Sequence, residues 1–132
     1  MTFLRAMMPL FPASITESST VSPPARPAHR LPGSLSLVLP AYNEEDNIRV
    51  VVEQVLEVLP QYTDTFEVIP VNDGSVDRTG EIVAELARED ARVRPVSYKV
   101  NKGYGGAVAS GFAATQYDYV MFMDADRQFN IN

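Results

Sequence analysis

The chain has 132 residues, room for about one domain, and its formal charge of −6 is unevenly spread. Residues 1–34 carry Arg5, Arg26 and Arg30 against Glu17, a net of +2 that leaves −8 on the remainder, an acidic body unsuited to nucleic acid. There is no cysteine, which excludes disulfides and thiolate metal sites, and the only histidine, His29, lies in a Pro-rich leader, which argues against histidine catalysis and histidine-rich zinc sites.

That leader, residues 1–34, holds six of the ten prolines with no helical or strand period, and it reads as disordered. Leu4 to Phe11 is too short, and too interrupted by Arg5 and Pro9, to cross a bilayer. From Leu35 the pattern becomes regular. Leu35 to Leu39 is a short apolar run, expected as a buried strand closed by Pro40. Asn43 is the expected N-cap of a first helix, with Asp46 at its third position, and Ile48, Val51, Val52, Val55, Leu56 and Leu59 recur at helical spacing until Pro60. Phe66 to Val71 is a second strand, with Pro70 an awkward member because proline removes a ladder donor.

Asn72-Asp-Gly-Ser75 is a turn signal, and Ile82, Val83, Leu86 and Ala87 mark a second amphipathic helix that Asp77 is placed to cap. A third strand lies within Val93–Val100, followed by the Gly-rich loop Asn101-Lys-Gly-Tyr-Gly-Gly106 and a small-residue helix from about Ala107 to Ala114. Tyr117 to Met123 is the fourth strand, with Tyr119 to Met123 expected to be buried. Strand and helix alternate throughout, which implies an α/β domain with a mainly parallel sheet. In such sheets ligands gather at the carboxyl ends of the strands. All the informative segments follow strands, so one site at that edge is expected.

The last of them is the most telling. An apolar run ends in Asp124 and Asp126, spaced i, i+2, with Gln128 just beyond. Two carboxylates at a strand's end are either solvated loop aspartates or oxygen ligands for a hard cation such as Mg²⁺ or Mn²⁺, which can in turn hold a diphosphate. In Pro40-Ala-Tyr-Asn-Glu-Glu45, Tyr42 is either a half-buried ring or a face for a flat base, and Glu44 could accept from a ribose hydroxyl. Asp73 is either a turn residue or an acceptor for a base N–H. The loop 101–106 fails as a P-loop, since Lys102 precedes its glycine and no Ser or Thr follows. It fails as a dinucleotide fingerprint at Val108. It reads instead as close helix packing near a nucleotide, with Lys102 a possible charge for a phosphate. The Asp-x-Asp of haloacid-dehalogenase-type phosphatases follows the first strand and continues to a Thr, which Asp124-Ala-Asp-Arg127 does not.

In combination, Leu39-Pro-Ala-Tyr-Asn-Glu-Glu45, Val71-Asn-Asp-Gly-Ser-Val-Asp77, Asn101–Gly106 and Asp124-Ala-Asp-Arg-Gln128 resemble family 2 glycosyltransferases of the GT-A fold, over roughly residues 35–132. The Asp-Ala-Asp-x-Gln form is most similar to the polyprenol-phosphate sugar transferases, such as dolichol-phosphate mannosyltransferase. The resemblance implies a Rossmann-like, nucleotide-sugar-binding half-domain, the N-terminal part of a longer enzyme, behind the 1–34 leader. It implies that Pro40, Tyr42 and Glu44 line a base and ribose pocket closed by Val71 and Asp73. Asp124, Ala125 and Asp126 would approach ribose and diphosphate, and Asp126, Gln128 and Asp124 would hold Mg²⁺ or Mn²⁺. The implied donor is a UDP- or GDP-sugar and the implied acceptor a polyprenol-phosphate lipid, met from the cytoplasm at the membrane surface. Nucleotidyltransferases of similar fold differ in opening with a Gly-rich loop after the first strand. Asn72 stands where many family members have a second Asp. A half-sheet of this kind is expected to leave an uncovered, apolar edge.

Overall fold

The computed structural model describes residues 29–126, so Gln128 lies outside the described residues. The first strand, β1 (Leu35–Ala41), is buried at all of its positions, as a central strand covered on both faces must be. It pairs in parallel with β2 (Phe66–Asp73) on one side and with β4 (Tyr119–Phe122) on the other. β3 (Val96–Tyr98) adds in parallel to β2, giving the order β3-β2-β1-β4.

Alternation along the strands sorts side chains between two helical layers. Leu35, Leu37 and Leu39 pack with Val68 against the apolar stripes of α1 (Ile48–Val58) and α2 (Thr79–Glu89). Val38, Ile69 and Val71 face the other way, with Ala107 of α3 (Gly103–Ala114). The result is the expected parallel α/β sandwich. α3 lies very close to the sheet: a Cβ on Gly111 would stand 2.2 Å from Cγ1 of Val38 and 3.1 Å from Cγ2 of Val71.

Both interior prolines are accommodated by strand parity. Pro40, expected to close β1, lies inside it. The carbonyls of Ser34 and Val38 accept from Tyr119 and Met123, so even-numbered β1 residues bond toward β4. The absent N–H of Pro40 therefore faces β4 just past Val38↔Phe122, where that pairing ends. Pro70 does not end β2 early either. Its neighbour by parity, Val68, donates to Arg92 and accepts from Arg94, so Pro70 faces the β3 side. There it falls between the isolated Val68↔Val93 bridge and the first β3 pair, Val71↔Val96. The missing donor coincides with the break in β3 and leaves the β1 ladder intact.

Three other expectations change. Asn43 does not cap α1: it has φ 54°, and the first turn forms instead where Asn47 and Ile48 donate to the carbonyl of Glu44. Residues Arg30 and Leu31, placed by sequence in the leader, also contact the body. Arg30 pairs with Asp64 at 2.7 Å, and Leu31 donates to the carbonyl of Tyr62. Finally, Tyr119 to Phe122 are not buried but between 41% and 51% exposed, because β4 is the outer strand of the described sheet.

At the end of the sheet away from the strand carboxyl termini, Glu67 is fully buried. The Ser36 hydroxyl donates to its Oε1 at 2.6 Å, the Gln116 amide and side chain donate to it at 3.1 and 3.0 Å, and the Arg94 guanidinium closes the set. Burial pushes this carboxyl up, but the hydrogen bonds from Ser36, Arg94 and Gln116 outweigh it and hold Glu67 below the usual carboxylate range. The cluster fastens β1, β2, the approach to β3 and the α3–β4 loop to one another.

Candidate nucleotide and cation site

From β1 the chain winds outward to β2 and β3, then returns to place β4 on the opposite side of β1. That reversal opens a crevice beyond the strand carboxyl ends, the usual ligand position of an open α/β sheet. A cleft of about 470 Å³ lies there. It is lined by Pro40, Ala41, Tyr42 and Glu44 after β1, by Asp73 ending β2, by Asn101, Gly103, Tyr104 and Ala107 around the start of α3, and by Asp124, Ala125 and Asp126 after β4. The sequence-expected residues Pro40, Tyr42, Glu44, Asp73, Asp124, Ala125 and Asp126 are thus brought together.

Hydrogen bonds between loops set the walls. Asn43 Oδ1 accepts from the Val76 amide at 2.9 Å, and its own amide donates to Ser75 Oγ at 3.0 Å. The Glu44 amide donates to Thr79 Oγ1 at 2.8 Å and the Glu45 amide to Asp77 Oδ2 at 3.1 Å, which ties the β1–α1 loop to the start of α2. Asp77 also accepts from the Thr79 amide and hydroxyl, at 2.9 and 2.6 Å, and so serves the first helical amide as expected. Burial raises its carboxyl, but the Thr79 and Glu45 donors prevail and hold it low. Asn72 is structural, accepting from the Ser75 amide at 3.2 Å within the turn. Gly74, at φ 71°, is fixed by contact as well as conformation, since a Cβ would meet the Asn101 amide nitrogen at 2.4 Å.

Asp73 is 3% exposed. Its Oδ1 accepts from the Lys102 amide at 2.7 Å, and its main-chain oxygen accepts from Asn101 Nδ2 at 2.9 Å. Tyr42 is half exposed, and Glu44 accepts from Asn47 Nδ2 at 3.0 Å.

Two expectations do not match the side chains. Val71 is completely buried with Val38 and Ala107 and does not line the cleft, because α3 covers it. Lys102 does not line it either; its Nζ lies 3.9 Å from the centroid of the Tyr98 ring, a cation–π contact. Sequence reasoning in turn overlooked Asn101 and Tyr104. A polar aromatic inside a Gly-rich loop after a strand's carboxyl end was the available signal. The Tyr104 hydroxyl is raised above its usual range by burial and by the neighbouring Asp124 carboxylate.

Electrostatically the cleft is one-sided. Glu44, Asp73, Asp124 and Asp126 line it, and no lysine, arginine or histidine does among the described residues. Those residues contain no cluster of three or more histidine, cysteine or acidic side chains arranged for a metal. Two carboxylates nevertheless suit Mg²⁺ or Mn²⁺, which are commonly held by one or two carboxylates with substrate phosphates and water completing the shell.

Residues 36–132 match the family profile of Glycosyl transferase family 2. The chain belongs to that family. It is 40% identical over 112 residues to Glycosyltransferase AglD of Haloferax volcanii, covering 76% of this chain and 18% of that one. It is 36% identical over 97 residues to the dolichyl-phosphate beta-glucosyltransferase ALG5A of Trichomonas vaginalis, covering 70% and 30%. The chain therefore spans between about a fifth and a third of the length of these curated relatives. Its fold is like that of the mannosyltransferase PcManGT from Pyrobaculum calidifontis, solved with GDP-Man and Mn²⁺, with a TM-score of 0.65 at 24% identity over 75% of this chain and 28% of that one. Glucosyl-3-phosphoglycerate synthase from Mycobacterium tuberculosis, solved with Mn²⁺, UDP and phosphoglyceric acid, is similar at a TM-score of 0.56 and 34% identity, covering 71% and 33%. The fold expected from the four segments is thereby established as that of family 2 glycosyltransferases.

Proposed function

We propose that residues 35–132 form the nucleotide-sugar-binding part of a family 2 glycosyltransferase that moves a hexose from a UDP- or GDP-sugar to a polyprenol-phosphate-type lipid. The observation that carries the donor side is the sign of the cleft: four carboxylates and no cationic side chain among its described lining. A diphosphate is repelled from such a surface unless a divalent cation stands between. In this reading Tyr42 lies against the base, Asp73 accepts a base N–H, Glu44 accepts from the ribose, and Asp124 and Asp126 hold Mg²⁺ or Mn²⁺, with Gln128 a further ligand. The cation, when bound, neutralises charge on the departing nucleoside diphosphate.

The lipid acceptor is supported by the similarity to a dolichyl-phosphate glucosyltransferase. No residue of this chain is assigned to the acceptor or to a catalytic base, so the 132-residue chain alone is expected to bind nucleotide weakly and transfer little sugar. No helix among the described residues is long and apolar enough to cross a membrane. We place the site at the cytoplasmic face, where nucleotide sugars are made, in peripheral contact with the lipid.

Calorimetry with UDP and GDP, each with and without Mn²⁺, tests the donor side. Binding of one nucleotide that requires Mn²⁺ is expected; equal binding without metal removes the cation from the reading. Radiolabelled nucleotide sugars supplied with polyprenyl phosphate to the full gene product test the acceptor. Label entering only protein or polysaccharide sinks the lipid assignment.

A further inference from the structure

Asp73 ends β2 almost fully buried against the cleft, and its two carboxylate oxygens meet different surroundings. Oδ1 accepts from the Lys102 amide at 2.7 Å. That amide is fixed in place. Asn101 Nδ2 donates to the Asp73 main-chain oxygen at 2.9 Å, and Asn101 Oδ1 accepts from the Gly103 amide at 3.0 Å. Gly74 lets the Asn101 backbone approach to where a Cβ would stand 2.4 Å from its nitrogen. Oδ2, by contrast, accepts from no donor among the described residues. None of their side-chain oxygens that are sealed from solvent lacks a partner, so Oδ2 is open to the cleft that Asp73 lines. The carboxylate thus offers the cavity one free oxygen and not two.

We propose that this one free oxygen selects uracil, which makes the donor a UDP-sugar and not a GDP-sugar. The inference rests on the reading of Asp73 as the base acceptor. Uracil brings one N–H, at N3, between two carbonyls. Guanine brings its N1–H and the amino group beside it, two parallel donors that match a carboxylate with both oxygens free. With Oδ1 held by the Lys102 amide, the second guanine donor loses that acceptor, and a donor buried without a partner costs affinity. For uracil the same amide is an advantage, because it draws off charge that a bare second oxygen would turn against a uracil carbonyl. Cytosine has a lone pair at N3, which Oδ2 repels.

Calorimetry with UDP, GDP and CDP, all at one saturating Mn²⁺ concentration, tests this on the 132-residue chain and on Asp73→Asn. The order of the bases is read at constant Mn²⁺ and does not depend on which residues hold the cation. Wild type should bind UDP roughly tenfold or more tightly than either GDP or CDP. In Asp73→Asn the Lys102 amide still demands an oxygen, so the side-chain amino group takes the place of Oδ2 and turns a donor toward the base. UDP should weaken and CDP strengthen until the variant prefers CDP. Wild type that prefers GDP, or binds GDP and UDP alike, overturns the selection of uracil; if Asp73→Asn still changes the order of the bases, the base contact of Asp73 survives without it. The wild-type order retained in a folded Asp73→Asn, as judged by its thermal midpoint, overturns the base contact and the inference together. If the variant does not fold, the wild-type ratio of UDP to GDP decides alone.

Discussion

Asp73 and Asp126 occupy the same cleft but are asked for different chemistry, and substitution should separate them. Asp126→Ala takes away one of two carboxylates offered to the cation, and the Mn²⁺-dependent part of nucleotide binding should vanish. If Asp126→Ala binds as well as wild type at every Mn²⁺ concentration, the pair are ordinary loop aspartates. At position 73 alanine is a poor probe, since it would also release the Lys102 amide from Oδ1. Asp73→Asn keeps an acceptor for that amide and removes a carboxylate oxygen. It should narrow the UDP:GDP preference by roughly tenfold, the scale of a hydrogen bond to a charged group, and leave the Mn²⁺ requirement alone. Glu67 sets a third residue-level expectation. Its folded pKa lies below the ordinary value of 4.5, so in acid the unfolded chain binds the proton more readily. The stabilisation is complete above that value and is lost as the pH falls below it toward the folded pKa. Glu67→Gln should flatten the acid limb of a stability–pH curve measured by urea unfolding; an unchanged limb contradicts the assignment.

Among the elements, α3 depends most on a single position. In an open helix Gly111→Ala would gain about 1 kcal/mol from propensity alone. Here the added methyl would meet the buried Val38 side chain at 2.2 Å and that of Val71 at 3.1 Å. Overpacking of this kind costs about 1–3 kcal/mol, which exceeds the propensity gain, so Gly111→Ala should lower stability. Chemical denaturation reads the sign directly. Because α3 also carries Tyr104 and Ala107 into the cleft, the same substitution should weaken nucleotide binding. The Arg49 links to Glu85 and Glu89, which join α1 to α2, are expected to matter far less: they lie at the surface, where such pairs contribute about 0–1 kcal/mol.

At the scale of the molecule, the described sheet ends on an apolar outer strand, β4. β4 exposes Tyr119, Val120, Met121 and Phe122, and beside it an apolar groove of about 330 Å³ runs between Leu37, Val55, Leu59, Met121 and Met123. An apolar, exposed edge strand is a template for association. The 132-residue chain should therefore self-associate as its concentration rises, as read by size exclusion with light scattering. Met121→Lys, which puts a charge on that edge, should shift it toward monomer. A wild-type chain that stays monomeric throughout contradicts the expectation.

Order and type of elements were legible in the sequence because both follow from local periodicity and from turn residues such as Asn72-Asp-Gly-Ser75. The convergence of the four segments followed too, since strands in a parallel sheet end on one side. What the sequence by itself could not decide is set by neighbours distant along the chain. Val71 and Asp73 share a strand and a parity, yet α3 covers the first and the cleft receives the second. Pro40 and Pro70 look like strand breakers, and only the side of the sheet each faces shows that no ladder bond of β1 with β2 is lost. Tyr119 to Phe122 have the composition of a buried strand, but burial belongs to the surroundings and not to the segment. Tyr104 and Asp124 sit on separate elements, and they line one cleft because Asp73 holds the loop between β3 and α3 in place. Local pattern specifies which faces bury well and which residues can do chemistry; only packing decides what they meet.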